Sequence, residues 1–252
     1  MVSSAALDLT TVAPTNRIAA LRDLLQQRFP GTNQLDKPAV GILPTGVAGI
    51  DRLLPGGLPR GAVSLLSGPA SSGKTGAALG IVAGLTGQAG QAAWVHRGAF
   101  SPASAAWAGV QARHLVLVQV ESDSEALRCT DFLLRWQAFD LVVLDWIGRG
   151  GHGSRWNRLQ RLVTDSPSSL VVIAPAPEPG DPLRFVSAVH LTFERAPDRP
   201  AQQVVVELDK TRYARPDGPS HGLLEHRGMR GAPFLLDPDL PGLGQRWHHE
   251  VD

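Results

Sequence analysis

Apolar residues follow one another along this chain in two rhythms. Short unbroken runs at 62–67, 92–96, 115–119, 141–145 and 170–174 alternate with longer stretches at helical spacing, clearest at 73–85 and 124–136. Runs of five or six residues that are apolar at nearly every position suit strands covered on both faces. Their alternation with helices predicts an α/β fold with a mostly parallel, twisted sheet flanked by helices. After Pro182 the strand-like runs 188–194 and 203–209 leave no room for a crossover helix, so this end of the sheet reads as antiparallel.

The ends of the chain are patterned differently. Up to Pro14 no period is visible. Thr15 can cap a helix whose apolar side is Ile18, Leu21, Leu25 and Phe29, and Pro30-Gly31 stops it. A polar, proline-bearing stretch then leads to Ala39 and reads as a linker. Residues 1–39 are therefore expected to be an arm, helix and linker, 40–236 the core and 237–252 a tail. A lone helix of this length is marginal in water unless its apolar side is buried, so Ile18, Leu21, Leu25 and Phe29 are candidates for a protein interface. Leu236, at the border of the tail, and Leu240, Leu243 and Trp247 within it either dock on another protein or fold back on the body.

Composition narrows the classes. With 24 basic and 23 acidic residues among 252 the net charge is +1, which excludes a global electrostatic attraction to DNA or membrane; any such binding must come from a local patch. The single cysteine, Cys129, excludes an internal disulfide framework and an all-cysteine metal site. The first residues lack the pattern of a signal peptide, and nowhere do about 20 apolar residues run together as a membrane span requires. The expectation is a cytoplasmic protein. No H-E-x-x-H, nucleophile-elbow or cysteine–histidine signature is visible, so no metal other than Mg²⁺ is expected.

Residues 68–75, GPASSGKT, match G-x-x-x-x-G-K-[ST] between an apolar run and a helical one. In that setting the backbone N–H groups from Gly68 through Ser71, Ser72 and Gly73, with the helix N-terminus, form an anion cradle. Lys74 can reach the β- and γ-phosphates of ATP or ADP, and the Thr75 hydroxyl can ligate Mg²⁺. The bland alternative is a Gly/Ser turn that caps a helix. Asp145 ends the apolar run LVVLD, at the strand end where ligands of open α/β sheets sit, and is the second candidate Mg²⁺ ligand; its alternative is to cap the next turn. Arg155, Arg158 and Arg161 recur at i, i+3 and i+6 beside Trp156, with Arg149 just before them. This stripe could hold DNA phosphates and stack a base, or meet an acidic partner, or be a solvated helix face with Trp156 packed beneath.

The chain resembles the RecA recombinase family. The likeness runs through PTGVAGIDRLLPGGLPRGAVSLLSGPASSGKT, AAWVHRGAFSP, LVVLDW and LRFVSAVHLTFER, roughly from Arg17 to Pro216, although KaiC-like ATPases share the GGLPRG approach. The resemblance implies ATP and Mg²⁺ as cofactors, and it puts Lys210 and Arg212 where RecA places two lysines that reach the ATP of a neighbouring subunit; otherwise they are a solvated strand end. It also implies assembly through the N-terminal helix on RecA or on another copy of the chain. The departures matter. RecA's catalytic glutamate after the second core strand has no counterpart near Gly98, its adenine-holding aspartate and tyrosine correspond approximately to Ser101 and Ser104, and APAPEPGD at 174–181 leaves no room for its second DNA-binding loop. At most a weak ATPase is expected. This pattern of retention and loss is similar to the ImuA family, RecA-like accessory proteins of bacterial translesion synthesis. That likeness implies a role in the SOS response and mutagenesis, nucleoid association during DNA damage, and ImuB, an error-prone C-family polymerase and RecA as partners. The competing reading is a shortened active DNA-dependent ATPase or recombinase, or a KaiC-like ATPase.

Overall fold

The computed structural model describes residues 41–54, 56–98, 100–148, 153–195 and 203–212, and the backbone of 221–225. The helix expected between Thr15 and Phe29, Arg149 and the tail lie outside the described residues. Ten strands are present among those described. β1 (Ile42–Leu43) and β2 (Leu58–Pro59) form a small antiparallel ribbon. The other eight make one sheet: β3 (Val63–Ser67), β4 (Ala92–His96), β5 (Leu115–Gln119), β6 (Leu141–Asp145), β7 (Ser169–Ala174), β8 (Val189–Arg195), β9 (Gln203–Thr211) and β10 (His221–Glu225). Their order is β10-β9-β8-β3-β7-β6-β4-β5. The six strands from β8 to β5 are parallel, and β9 and β10 are antiparallel, as the change of pattern after Pro182 predicts.

The reason for each strand is visible in its burial. Leu141, Val142, Val143 and Leu144 are fully buried, because β6 lies in the interior of the sheet with helices on both faces. At the rim, β5 is equally apolar in sequence but leaves Val116 and Leu117 nearly half exposed, since it has a neighbour on one side only. Side chains alternate between two cores. Leu66, Ala92, Trp94, Leu141 and Val143 face one layer, and Val63, Leu65, Ala93, Val95, Val142 and Leu144 face the other.

The first layer is covered by α2 (Lys74–Gly87) through Ala77, Ala78, Ile81, Val82 and Leu85. Glycines in this helix each cost about 1 kcal/mol against alanine, and close packing explains the one at position 84. A Cβ on Gly84 would lie 2.7 Å from the Thr45 carbonyl oxygen, so its absence lets the chain leading into α1 (Ala48–Leu53) press on the helix. The second layer is covered by α4 (Asp123–Trp136), α5 (Gly153–Thr164) and α6 (Pro182–Val186). α4 starts where Ser122 Oγ accepts the Glu125 N–H at 3.2 Å, and it buries Ala126, Leu127, Thr130, Leu133 and Leu134 at helical spacing. A short helix, α3 (Pro102–Trp107), follows β4.

Candidate functional site

Gly68 leaves the carboxyl end of β3 with φ +152°, and a Cβ there would lie 2.3 Å from the Phe193 carbonyl oxygen and 2.8 Å from Ser72 Oγ. Only glycine fits. Ser71 takes a left-handed φ of 59°, the Ser72 N–H donates to the Pro69 carbonyl at 3.3 Å, and Gly73 turns the chain into α2 with φ 92° and ψ −2°. Successive left-handed and right-handed residues before a helix bring backbone N–H groups to one concave side, the arrangement that holds a phosphate. Two details fit such a ligand. Ser72 Oγ is buried and has no hydrogen-bond partner among the described residues. Lys74 Nζ donates at 2.8 Å to the Pro69 carbonyl, which makes the ammonium arch over the loop. Partial burial lowers the Lys74 pKa, and the charge on Asp145 opposes that shift.

Asp145 ends β6, one strand beyond β7 from the loop. Alternation puts it on the face of Leu141 and Val143, the same face as α2, whose first turn carries Lys74 and the exposed Thr75. Burial raises its pKa, and charge on His96 and on Lys74 works against that rise. His96 is a residue that the sequence reading passed over. It ends β4, pairs in register with Asp145, and lies on the same face as Ala92 and Trp94. Its ring is 4% exposed, packs against Phe100 at 5.5 Å between centroids, and has Nδ1 2.9 Å from the Gly98 carbonyl oxygen. The structure thus gathers Ser72, Lys74, Thr75, His96 and Asp145 at the carboxyl end of the parallel strands. This donor set fits a phosphate with Mg²⁺, which takes one or two protein oxygens and keeps several waters. Among the described residues, no group of three or more His, Cys, Asp or Glu is placed to hold a metal ion. A pocket of about 320 Å³ near Arg60 and Asp140 lies at the other end of β6.

Ser101 and Ser104 serve the helix that follows β4. Ser101 Oγ caps α3 by accepting the Ser104 N–H at 3.1 Å, and the two hydroxyls are hydrogen-bonded at 2.9 Å. Near the end of β4, Asp123 supplies a carboxylate, but from the α4 side of the sheet, where Arg97 holds it at 2.9 Å.

Lys210 and Arg212 lie away from this chain's own phosphate loop. The Arg212 N–H donates to the Ala188 carbonyl, and the Ala188 N–H to that of Val63, so Arg212 is level with the start of β3. Five residues of strand separate that level from Gly68, about 16 Å at roughly 3.3 Å per residue. Lys210 Nζ donates to the Arg184 carbonyl and Arg212 to that of Phe185. Burial, with Arg212 and Arg184 nearby, lowers the Lys210 pKa.

One residue of the basic stripe needs correction. Trp156 is 1% exposed and packs edge-on against Trp146, so it offers no face to a base. Arg155, Arg158 and Arg161 are exposed on the outer side of α5. Arg155 donates to Ser124 Oγ at 2.8 Å, and Arg158 pairs with Asp131, which Arg135 also reaches at 2.9 Å.

A second polar chain crosses the sheet on the face away from α2. Ser67 Oγ lies 2.7 Å from His190 Nε2, and His190 Nδ1 lies 2.7 Å from Asp209 Oδ2. Among the described residues, no helix is long and apolar enough to cross a membrane.

Residues 30–149 match the model of the RecA N-terminal domain. The chain is 39% identical to the RecA protein of Bifidobacterium breve over 114 residues, 44% of this chain and 29% of that protein. It is 40% identical to the RecA protein of Streptomyces ambofaciens over 111 residues, 43% of this chain and 30% of that one. The chain thus matches less than a third of the length of these two relatives. The crystal structure of the RadB recombinase superposes with a TM-score of 0.61 at 23% identity, covering 73% of this chain and 96% of that chain. The fold is RecA-like, with antiparallel strands in its C-terminal part. The phosphate loop and Asp145 fall inside the matched residues, whereas Lys210 and Arg212 fall outside them.

Proposed function

We propose that this protein is a RecA-like, nucleotide-binding factor of DNA repair that serves error-prone translesion synthesis as an accessory protein of the ImuA type. The observation that carries the nucleotide part is the cradle from Gly68 to Thr75 facing Asp145 across the carboxyl end of the sheet. Gly68 to Gly73 would surround the phosphates of ATP or ADP, Lys74 would neutralise them, and Thr75 and Asp145 would hold Mg²⁺. When bound, the metal withdraws charge from the phosphate oxygens.

The accessory role is supported by what surrounds this site. Among the described residues no carboxylate follows β4 on the α2 face, and β7 is joined to α6 by residues 175–181 only. A positioned general base contributes about 10²–10⁴ in rate, so turnover is slow and indifferent to single-stranded DNA. The nucleotide then acts as a structural or switching element. The partners of this reading are ImuB, an error-prone C-family polymerase and RecA, met through Ile18, Leu21, Leu25 and Phe29 or through the arginines of α5; self-association through the same helix belongs to it too.

The test is calorimetry of Mg-ADP and Mg-ATP binding to the parent and to Lys74→Ala, with ATP turnover measured in the presence and absence of single-stranded DNA. Binding that Lys74→Ala weakens, with slow DNA-independent turnover, is expected. Absence of binding in the parent rejects the nucleotide site. Strong DNA-stimulated hydrolysis favours instead a shortened recombinase or a KaiC-like ATPase.

A further inference from the structure

The ring of His96 is held in a way that defines what it can do. Nδ1 lies 2.9 Å from the Gly98 carbonyl, and a carbonyl only accepts, so in the neutral ring Nδ1 carries the proton. Nε2 is then left with a lone pair. It is buried, and it has no hydrogen-bond partner among the described residues. A buried acceptor without a donor costs about 1–3 kcal/mol, which marks Nε2 as a place where a ligand group belongs. Its position says which ligand. His96 is the last residue of β4, Asp145 the last of β6, the two pair in register, and both lie on the sheet face that α2 covers.

Three groups of a bound metal–nucleotide could meet that lone pair. Phosphate oxygens carry lone pairs of their own and offer no proton. Mg²⁺ is a hard ion that takes oxygen ligands and dehydrates reluctantly. A water molecule of its hydration shell is left, polarised by the ion and able to donate. We propose that His96 is a positioning residue whose Nε2 accepts a hydrogen bond from a metal-bound water beside Asp145. This rests on the nucleotide-binding reading above. It gives the β4 end an acceptor that orders the metal's hydration shell. The contact binds the metal–nucleotide complex without requiring turnover.

The experiment uses the full chain labelled with ¹⁵N-histidine, with the His96 ring assigned by its loss in His96→Gln. The free protein should show the Nδ1–H tautomer. Mg-ADP should move the Nε2 resonance in the direction of an accepted hydrogen bond, and ADP with EDTA should not. In parallel, Mg²⁺ is titrated into each ADP-bound variant. His96→Phe keeps a ring against Phe100 but removes the acceptor, and it should weaken Mg²⁺ by about 2–10-fold, the equivalent of one hydrogen bond. His96→Gln supplies an acceptor at similar reach and should recover most of that loss.

Several outcomes overturn the proposal. They are an Nε2–H tautomer, an Nε2 resonance blind to Mg-ADP, direct metal coordination by Nε2, or equal Mg²⁺ affinity in the parent and His96→Phe. If His96→Phe does not fold, the resonance of the parent protein still decides. ADP binding with a silent His96 rejects this inference alone, whereas a parent protein that binds no ADP rejects the nucleotide site and this inference with it.

Discussion

Replacing Trp156 by alanine separates a packed helix from a nucleic-acid contact. The indole is 1% exposed and stands at 84° to Trp146 with 5.1 Å between ring centroids, above Leu159, Val163 and the β6–β7 face of the sheet. Its removal loses the transfer free energy of a large aromatic group and leaves a cavity, together costing about 3–5 kcal/mol. The edge-to-face pairing accounts for about 0.5–1.5 kcal/mol of that. In a domain of this size each kcal/mol lowers Tm by about 2–4 °C, so the expected fall is roughly 6–20 °C. Thermal unfolding followed by circular dichroism, with the urea midpoint measured alongside, reads it directly. Arg161→Ala on the exposed side of the same helix is the control and should stay within about 0.5 kcal/mol of the parent. A Trp156→Ala protein with parental Tm and abolished DNA affinity would refute the packing argument and return the indole to the role of a base platform.

Changing Arg155, Arg158 and Arg161 together to alanine should reduce whatever affinity the protein has for DNA. Each DNA phosphate deprived of its arginine flattens the slope of log K against log salt by about 0.9 on duplex or 0.7 on single strands, and a slope equal to the parent's identifies these arginines as a solvated face. The Ser67–His190–Asp209 chain predicts a pH dependence. Burial lowers the His190 pKa, with Arg184 and Lys210 adding to the shift while Asp209 and its hydrogen bond oppose it, so the folded state favours the neutral ring. The stability this contributes is complete above the unfolded value near 6.5 and is lost as pH falls below it through the lower folded value. Urea midpoints of the parent across that range should therefore fall on the acid side more steeply than those of His190→Gln, and parallel curves would reject the assignment. Leu21→Asp with Leu25→Asp should abolish binding to RecA, ImuB or a second copy in pull-down while the circular dichroism of the core is kept. Unchanged capture of every partner rejects that interface.

Much of the fold was legible because its strands are extreme. β4 and β6 begin and end where the apolar runs do, since a strand covered on both faces admits almost no polar residue inside it, and the rim strand β5 keeps the same bounds although it is covered less fully. The β1–β2 ribbon, α3 and α6 escaped the reading for the opposite reason: elements of two to six residues are too short to show a period. The phosphate loop announced itself because backbone geometry demands glycine at fixed spacing. His96 did not. Its place beside Asp145 depends on a register between residues 49 apart in sequence, which no local pattern encodes. Trp156 was ambiguous for a related reason, because an aromatic at the border of a helix's basic and apolar sides turns inward or outward according to what the neighbouring helix leaves open.

The placement of β3 also sets an order of events during synthesis. This strand delivers the phosphate loop, yet Ser64 finds its parallel neighbours in Val171 and Val189, the latter 125 residues downstream. A ribosome adding about 5–20 residues per second needs roughly 6–25 s to cover that interval. Until β7 is made, β3 has neither partner, and its apolar side chains are available to other chains. The carbonyl of Phe193 is one wall of the space that Gly68 occupies, so the loop gains that neighbour only once β8 is made. The surroundings of the phosphate loop are therefore complete only when the chain has been made as far as β8, 125 residues beyond Ser64.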